Sequence, residues 1–362
     1  MASSAQAPAA PVTPAPVGER PPGSLRFDWL MLLVGIWPVV GAEYDAYTHI
    51  NTPKLESFFT PAHATLYSGV AAVGLAAAIA VWRNHAQGYA WTRAIPAGYG
   101  LTMLGVAILS VAGIGDLIWH TLFGIERDIP AIVSPTHLLI VIGILLIVTG
   151  PLRSAASRPR EQVIGVAQLP LIVSLLFTYT MITIVLQYLN PLSYRWAEVG
   201  NRDLFADGLP PIDSYLSDGL GLAGILITTV ILMAIVLPVI SRWQLLPGAM
   251  TFILTLEAVL LSTTQGLAAE NYKLVPGVVI AGILGDLLLL ALRPASRGTA
   301  ALRLFAFGLP VIFFAAYFAD LALVSQVVWI THLWAGSIFA AGIVGLALSL
   351  LIAPDRARNS SR

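Results

Sequence analysis

Long apolar stretches alternate with short polar segments along nearly the whole chain. Most of these stretches hold about 20 predominantly apolar residues, and a helix of that length crosses a hydrocarbon core about 30 Å thick. The pattern therefore predicts an all-α fold, a polytopic membrane bundle of about ten transmembrane helices. Their predicted ranges are 28–49, 62–82, 95–120, 135–152, 164–188, 214–241, 246–268, 275–293, 302–323 and 326–353.

The composition agrees with a membrane protein and narrows its chemistry. Hydrophobic residues make up 57% of the chain and charged residues 10%, against about 25% charged in soluble proteins. The formal net charge is zero, so the expected partner is the lipid bilayer and nucleic acid is not expected. The chain has no cysteine, which excludes disulfides, cysteine-ligated iron–sulfur clusters and covalently attached c-type haem.

The distribution of lysine and arginine predicts the orientation of the helices. Cytoplasmic loops carry an excess of these residues, and a cytoplasmic N-terminus places all but five of the 19 on the inner side. The five on the outer side are Lys54, Arg127, Arg195, Arg202 and Lys273. We therefore predict a multi-pass plasma-membrane protein with both termini inside, whose loops after the first and third helices face the extracytoplasmic side.

Four regions follow from this reading of the chain. Residues 1–25 form an Ala/Pro-rich tail with almost nothing to bury, and we predict that it is disordered. Residues 26–153 form a four-helix region that contains the candidate chemistry described below. Residues 154–353 form a six-helix membrane region, and residues 354–362 form a basic cytoplasmic tail.

Two similar segments hold four of the six histidines of the chain. Each segment reads Asp, three residues, His, and a second His after a further 13 or 16 residues. A hydroxyl residue, a proline and a small residue precede each second His. The six repeated positions are Asp45, His49 and His63 in the first segment, and Asp116, His120 and His137 in the second.

Each segment is predicted to form the turn between two helices. The i, i+4 spacing of Asp45 and His49 sets both side chains on one face of the first helix, near its end. Thr60 is a predicted N-cap and Pro61 suits the first helical position, so that His63 lies in the first turn of the next helix. The second segment repeats this arrangement. Each hairpin therefore brings one carboxylate and two imidazoles together near the outer membrane surface.

One Asp and two His side chains form an N/N/O ligand set suited to copper, zinc or non-haem iron, with positions left open for water or substrate. The alternative is an interfacial cluster in which these side chains only satisfy each other or cap helices. Repetition of the cap, the proline and both spacings favours metal binding, because capping alone does not need histidine at the same places. An acidic residue within a membrane helix is also a functional candidate in its own right.

The two segments resemble the copper-binding motifs of the membrane C subunit of the copper-containing particulate methane and ammonia monooxygenases. The first motif of that family, Asp-x3-His-x12-His with a Thr-Pro-Ser-His-like end, is similar to residues 45–63, which end in F-F-T-P-A-H. The second, Asn-x3-His-x13-His, is similar to residues 116–137, which contain W-H-T-L-F and end in S-P-T-H. The resemblance covers about residues 40–150.

The resemblance implies two copper sites, one per segment, in an O2-dependent oxidoreductase or in its metal-bearing component. The catalytic, oxygen-activating role is assigned to Asp116, His120 and His137. Additional membrane or cupredoxin-like subunits are implied as partners, and a homo-oligomer is a further option. The chain departs from the family in three respects: Asp116 stands where the family has Asn, the second gap is longer, and the last six helices have no counterpart.

Several polar residues outside the two segments are candidates for supporting roles. Glu43, Tyr44 and Tyr47 lie beside the first motif, and we predict that they hold its histidines in place. Asp320 and His332 lie near the outer ends of the last two predicted helices, where they form a candidate third ligand donor.

Two further carboxylates support an alternative function. Glu257 and Asp286 fall inside predicted membrane helices, where an acid is costly unless it is paired, protonated or lines a wet path. In this alternative the chain is a transporter or metal-handling protein, in which the outer Asp/His clusters capture an ion and these two acids pass it or a proton inward. A third reading is a scaffold in which a metal only fixes the hairpins.

Overall fold

The computed structural model describes residues 19–52, 57–198 and 214–352. Within these ranges the chain is helical, with short 3-10 turns in the loops and no strand. The helices of the first half are α1 (Leu25–Asn51), α2 (Pro61–Ala86), α3 (Gly100–Phe123), α4 (Asp128–Ile132), α5 (Pro135–Val148), α6 (Gly150–Ala156) and α7 (Leu169–Val185). Those of the second half are α8 (Ser214–Ile240), α9 (Ala249–Thr264), α10 (Val275–Leu292), α11 (Pro294–Arg297), α12 (Thr299–Val324) and α13 (Thr331–Ile352).

Nine helical spans of the described ranges are long and apolar enough to cross a membrane. This confirms the prediction of a polytopic helical bundle. The seventh of the ten predicted spans, 246–268, corresponds to α9, which is apolar but only 16 residues long, or about 24 Å at 1.5 Å per residue, less than the thickness of a hydrocarbon core. Large apolar side chains such as Leu33, Leu75 and Val111 are more than 60% exposed on the outside of the bundle, as lipid contact requires.

The predicted tails and the longest predicted loop lie partly or wholly outside the described residues. These are residues 1–18 of the Ala/Pro-rich tail, residues 199–213 with Arg202, and the basic tail at 354–362; Lys54 also lies outside. Residues 19–24 of the predicted disordered tail pack against the bundle instead: Pro21 is buried, and its carbonyl accepts a hydrogen bond of 2.9 Å from the amide of Ala97.

The first four spans form two tightly packed hairpins. In the α1–α2 hairpin, Gly69 lies so close to α1 that a Cβ there would come within 2.5 Å of the Pro38 nitrogen. In the α3–α5 pair, a Cβ on Gly105 would lie 2.6 Å from the carbonyl oxygen of Gly143. Small residues therefore let the backbones approach, as is usual for helices in lipid. Both hairpins turn at the same end of the bundle.

Helix α7 lies at the centre and joins the two halves of the protein. It contacts α1, α5 and α6 of the first half and α8 and α9 of the second half, and it is the most enclosed of the described spans. At the end of the bundle away from the two turns, the buried Asp28 forms an ion pair of 2.5 Å with Arg158 and accepts a hydrogen bond from Tyr99. The arginine-rich loops lie at this end, opposite the histidines.

Candidate metal centre

Local helix geometry places each of the four histidines beside a hairpin turn. His49 lies in the last turn of α1, and Asp45 lies one turn before it. The Thr60 hydroxyl caps α2 by accepting a hydrogen bond from the amide of His63 (3.1 Å). In the same way, Ser134 caps α5 through the amide of His137 (3.3 Å). The predicted caps and prolines are therefore present in both hairpins.

The two segments form one cluster, whereas the sequence predicted a separate site in each hairpin. One ligand nitrogen from each of the four histidines can be chosen so that all lie within 4.8 Å of one another. All four imidazoles are buried. The second hairpin packs beside the first with their turns level, so its histidines meet those of the first hairpin rather than forming a site of their own. The four histidines, which could hold a metal ion, are His49, His63, His120 and His137.

The Nδ1 nitrogen of each imidazole ring is held by a hydrogen bond to the protein. The Nδ1 atoms of His49, His63 and His137 lie 2.7, 2.5 and 2.6 Å from main-chain oxygens, those of Glu126, Phe58 and Ala131 respectively. The Nδ1 of His120 lies 3.3 Å from the carbonyl oxygen of Gly124 and 3.3 Å from Oε2 of Glu126. Because a carbonyl oxygen only accepts hydrogen bonds, Nδ1 carries the proton and Nε2 presents a lone pair.

The four Nε2 atoms point into the same space without a hydrogen-bond partner. Each is fully buried and makes no hydrogen bond of regular geometry to any described residue, although the closest carboxylate oxygen, that of Asp45, lies 3.1 Å from His63. A buried polar nitrogen without a partner is costly, and four around one point are the arrangement in which imidazole binds a metal ion. The residues present therefore fit a metal ion.

Both aspartates join the cluster and give it negative charge. Oδ1 of Asp45 lies 3.1 Å from Nε2 of His63, and Oδ1 of Asp116 lies 3.4 Å from the Nε2 atoms of His120 and His137. The two carboxylates are 7% and 0% exposed. Two buried carboxylates beside four neutral imidazoles carry two negative charges, which a divalent cation balances.

The two carboxylates differ in what holds them. The phenol of Tyr67 donates a hydrogen bond to Oδ2 of Asp116 (2.9 Å), and the hydroxyl of Thr136 donates one to its Oδ1 (3.0 Å). Asp45 contacts three of the histidines, and no described residue outside the cluster donates a hydrogen bond to its carboxylate. Asp116 is therefore held by two hydrogen bonds from outside the cluster, and none of the described residues holds Asp45 in this way.

Four supporting residues were missed by the sequence analysis. Tyr67 and Thr136 carried a signal, because Tyr67 follows His63 by one helical turn and Thr136 belongs to the S-P-T-H stretch itself. Phe58, whose ring centroid lies 4.4 Å from that of His63, and Glu126 lie in loops whose path follows no periodic pattern. Glu126 binds the Nδ1 nitrogens of two histidines and accepts a hydrogen bond from the indole of Trp119.

The predicted supporting residues of α1 lie away from the cluster. Tyr44 and Tyr47 are 40% and 39% exposed, and Glu43 accepts a hydrogen bond of 2.5 Å from Thr264 on α9. The helical repeat explains this outcome, because residues two before, one before and two after Asp45 project from other faces of α1.

The candidate third ligand donor also lies elsewhere. Oδ2 of Asp320 accepts a hydrogen bond of 2.9 Å from the amide of Gly277, in the first turn of α10. His332 is exposed at the start of α13. Neither residue belongs to the cluster, and Asp320 instead satisfies a free amide at a helix start.

The two intramembrane acids have different partners. Asp286 accepts hydrogen bonds of 3.0 Å from the amides of Met250 and Thr251 and one of 2.6 Å from the Thr251 hydroxyl. It therefore caps the first turn of α9 from a neighbouring helix, a structural role. Glu257 is buried and accepts hydrogen bonds from the hydroxyls of Thr180 and Thr183 on α7.

A small apolar cavity adjoins the cluster. Its volume is about 60 Å³, and Asp45, His49 and His137 form its polar wall. The rest of the lining comes from apolar side chains of α1, α2, α4, α5 and α7, including Leu66 and Ile184. The cavity has room for a molecule of a few heavy atoms next to these three ligands.

The chain was compared with family models, with curated proteins and with solved structures, and none of the three comparisons finds a match.

Proposed function

We propose that the chain is an integral membrane oxidoreductase that binds a redox-active transition metal ion, copper by the resemblance, in the histidine cluster. The observation that carries the proposal is the convergence of four buried Nε2 atoms whose rings are held by main-chain oxygens. Copper and iron suit a site of imidazole and carboxylate ligands without thiolate. When bound, such an ion supplies one-electron chemistry toward O2.

The residues around the cluster suit a small apolar substrate. The cavity beside Asp45, His49 and His137 is otherwise apolar, so it favours molecules that dissolve in the bilayer. The enclosing helices exclude water from the cluster. Electrons would come from a separate donor, such as a quinol. By the resemblance, further membrane or cupredoxin-like subunits, or a second copy of the chain, are the proposed partners.

We also propose that the cluster faces the extracytoplasmic side of the plasma membrane. The histidines lie at one end of the bundle, whereas Arg93, Arg160 and Arg297 lie in turns at the other end. Cytoplasmic loops carry the excess of positive charge, which supports this orientation.

Metal content and electron paramagnetic resonance test the function. Protein purified in a membrane mimetic and loaded with copper is expected to bind it and to show a nitrogen-rich Cu(II) signal. The double variant His49→Ala, His120→Ala should lose both. His85→Ala is the matched control, because His85 stacks on Trp91 at the far end of the bundle. No bound metal in the parent protein, or unchanged metal in the double variant, would overturn the proposal.

Turnover is measured on the same samples. The copper-loaded parent protein should consume O2 when a quinol is supplied, and the double variant should not. O2 consumption that is equal in the parent protein and in the double variant would show that the cluster does not carry the reaction.

A second candidate, a metal or proton transporter, is favoured by one observation. Glu43 of α1 accepts a hydrogen bond from Thr264 of α9, and Glu257 of α9 accepts hydrogen bonds from Thr180 and Thr183 of α7, so both acids lie where these three helices meet. An acid pair in the interior of a membrane bundle is typical of ion pathways. Metal-dependent uptake into proteoliposomes that is lost in Glu257→Gln would favour transport. O2 consumption that survives this substitution, without uptake, would favour the oxidoreductase.

A further inference from the structure

The contacts between carboxylates and imidazoles in the cluster follow a simple pattern. Asp45 oxygens lie 3.9, 3.1 and 3.9 Å from the Nε2 atoms of His49, His63 and His137, but none lies within 4.0 Å of His120. Asp116 oxygens lie 3.8, 3.4 and 3.4 Å from those of His63, His120 and His137, but none lies within 4.0 Å of His49. Each carboxylate thus neighbours all the imidazoles except one, and the excepted imidazole differs.

The imidazole rings repeat this pattern among themselves. His49 is in ring contact with His63, His120 and His137, at centroid distances of 6.3, 5.7 and 5.2 Å. His120 is in ring contact with His63 (5.8 Å) and with His137 (5.5 Å). His63 and His137 are the two rings of the cluster that do not contact each other.

The missing contacts sort the six side chains into three opposite pairs. Among the carboxylate–imidazole and imidazole–imidazole pairs, the three without contact are Asp45 with His120, Asp116 with His49, and His63 with His137, so that each residue occurs in one of them. In an octahedron every vertex neighbours four others and opposes one. The contacts that involve a histidine match six side chains around one point and do not match two separate three-ligand sites.

The charge of the cluster agrees with one ion. Two carboxylates and four neutral imidazoles balance a single divalent cation, whereas two such cations would leave two buried positive charges without partners. A six-coordinate ion of this kind has no open position, so a small molecule reaches it only by displacing a ligand.

Two opposite triangular faces of this octahedron have different surroundings. Asp45, His49 and His137 are mutual neighbours, and the same three residues form the polar wall of the apolar cavity. The opposite face is covered: Tyr67 hydrogen-bonds to one of its ligands, and the ring of Phe58 packs on two others. A side chain that moves away from the ion into the cavity must therefore belong to the face formed by Asp45, His49 and His137.

We propose that the cluster holds one six-coordinate divalent ion and that a small molecule in the cavity displaces Asp45. His49 and His137 are each tied to a main-chain oxygen, whereas no described residue outside the cluster anchors the Asp45 carboxylate. In the exchange, the bond from the ion to Asp45 breaks and a bond to the incoming molecule forms opposite His120. The oxidation state of the ion does not change. The proposal rests on the proposed metal site and names the position at which it reacts.

Cobalt(II) is the test ion, because its visible absorption intensifies when the coordination number falls below six. Titration of the full chain in a membrane mimetic should end at one equivalent with the weak bands of six-coordinate Co(II). Asp45→Ala, and Asp45→Asn as a variant closer in volume, should also bind one equivalent but with stronger bands. An endpoint of two equivalents, or strong bands in the parent protein, would overturn the single six-coordinate ion.

Nitric oxide, a neutral diatomic molecule, probes the position that opens. Its binding is followed by loss of the Co(II) paramagnetic resonance signal. Removal of a competing ligand raises the apparent affinity by the reciprocal of the fraction of open sites, on the order of tenfold or more in Asp45→Ala. Ile184→Trp should fill the cavity and block nitric oxide binding while Co(II) is retained. Ile235→Trp, in a groove between α7 and α8, is the matched control and should bind nitric oxide normally.

The remaining outcomes separate the two proposals. Asp116→Ala removes an anchored ligand from the covered face and should weaken Co(II) binding without any gain in nitric oxide affinity. Equal nitric oxide affinity in the parent protein and both Asp45 variants would overturn the displaceable ligand, as would loss of Co(II) from both variants. No Co(II) binding by the parent protein would instead overturn the metal site on which the proposal rests.

Discussion

The phenol of Tyr67 on α2 donates a hydrogen bond of 2.9 Å to Oδ2 of Asp116 on α3. Tyr67 lies one helical turn after His63, so a single face of α2 carries one ligand and holds another that belongs to the second hairpin. The two hairpins therefore depend on each other for the positions of their ligands.

We predict that Tyr67→Phe weakens metal binding without abolishing it. Loss of a partner that orients a metal ligand typically lowers affinity by about 10–100-fold. Competition with a chelator of known affinity measures the change. Tyr47→Phe is the matched control, since Tyr47 is 39% exposed and its phenol makes no hydrogen bond to any described residue of the cluster. Equal affinities in the two variants would show that the Tyr67 hydrogen bond does not position Asp116.

We predict that metal removal lowers the thermal stability of the protein. The ligands come from α1, α2, α3 and α5, so the folded state binds the ion far better than the unfolded chain. A ligand present at 100 times its Kd stabilises the folded state by about 2.7 kcal/mol. The melting temperature in detergent should therefore fall on chelation, and it should be insensitive to the chelator in His49→Ala, His120→Ala. A chelator effect of equal size in that variant would place the stabilising metal elsewhere.

We predict that Asp286→Ala destabilises the fold by about 1–3 kcal/mol, because it leaves the first amides of α9 without acceptors. Chemical denaturation of the folded bundle measures the loss. Metal content should stay unchanged, because Asp286 lies far from the cluster along the chain and in a different helix hairpin. Normal stability together with loss of ion uptake would instead assign Asp286 to an ion path.

We predict that the turns on the two sides of the bundle differ in accessibility from outside the cell. The chain has no cysteine, so single substitutions can be labelled without background. Ala268→Cys, in an exposed turn at the cluster end, should react with a membrane-impermeant maleimide in intact cells. Glu161→Cys, in an exposed turn at the other end, should react only after permeabilisation. The reverse labelling would invert the proposed orientation.

The helices and the six cluster residues could be predicted from the sequence because their signals are local. Apolar length identifies a span, and the pattern of hydroxyl, proline and histidine identifies a helix start. The single cluster could not be predicted in this way. His137 lies 3.4 Å from Asp116 of its own hairpin and 3.9 Å from Asp45 of the other, and spacing within one hairpin does not specify how two hairpins pack.

Asp286 shows a second limit of sequence reasoning. From the sequence alone, an acid within an apolar helix suggests an ion path. The partners of Asp286 are main-chain amides of another helix, and such amides have no signature in the sequence. The length of α9 was also not predictable from the apolar pattern. Its apolar stretch runs on past Thr264, but Gly266 adopts a positive φ of 83° and the chain leaves the helix there.

The hydrogen bond between His49 and the main chain of Glu126 joins residues 77 positions apart and bears on how the protein matures. The first hairpin leaves the ribosome before the second, and on its own it has no carbonyl to orient His49 and only half of the ligands. A nascent chain therefore holds no complete site. An ion in the proposed site would therefore bind last, and its retention would distinguish a finished bundle from one whose second hairpin has not yet inserted.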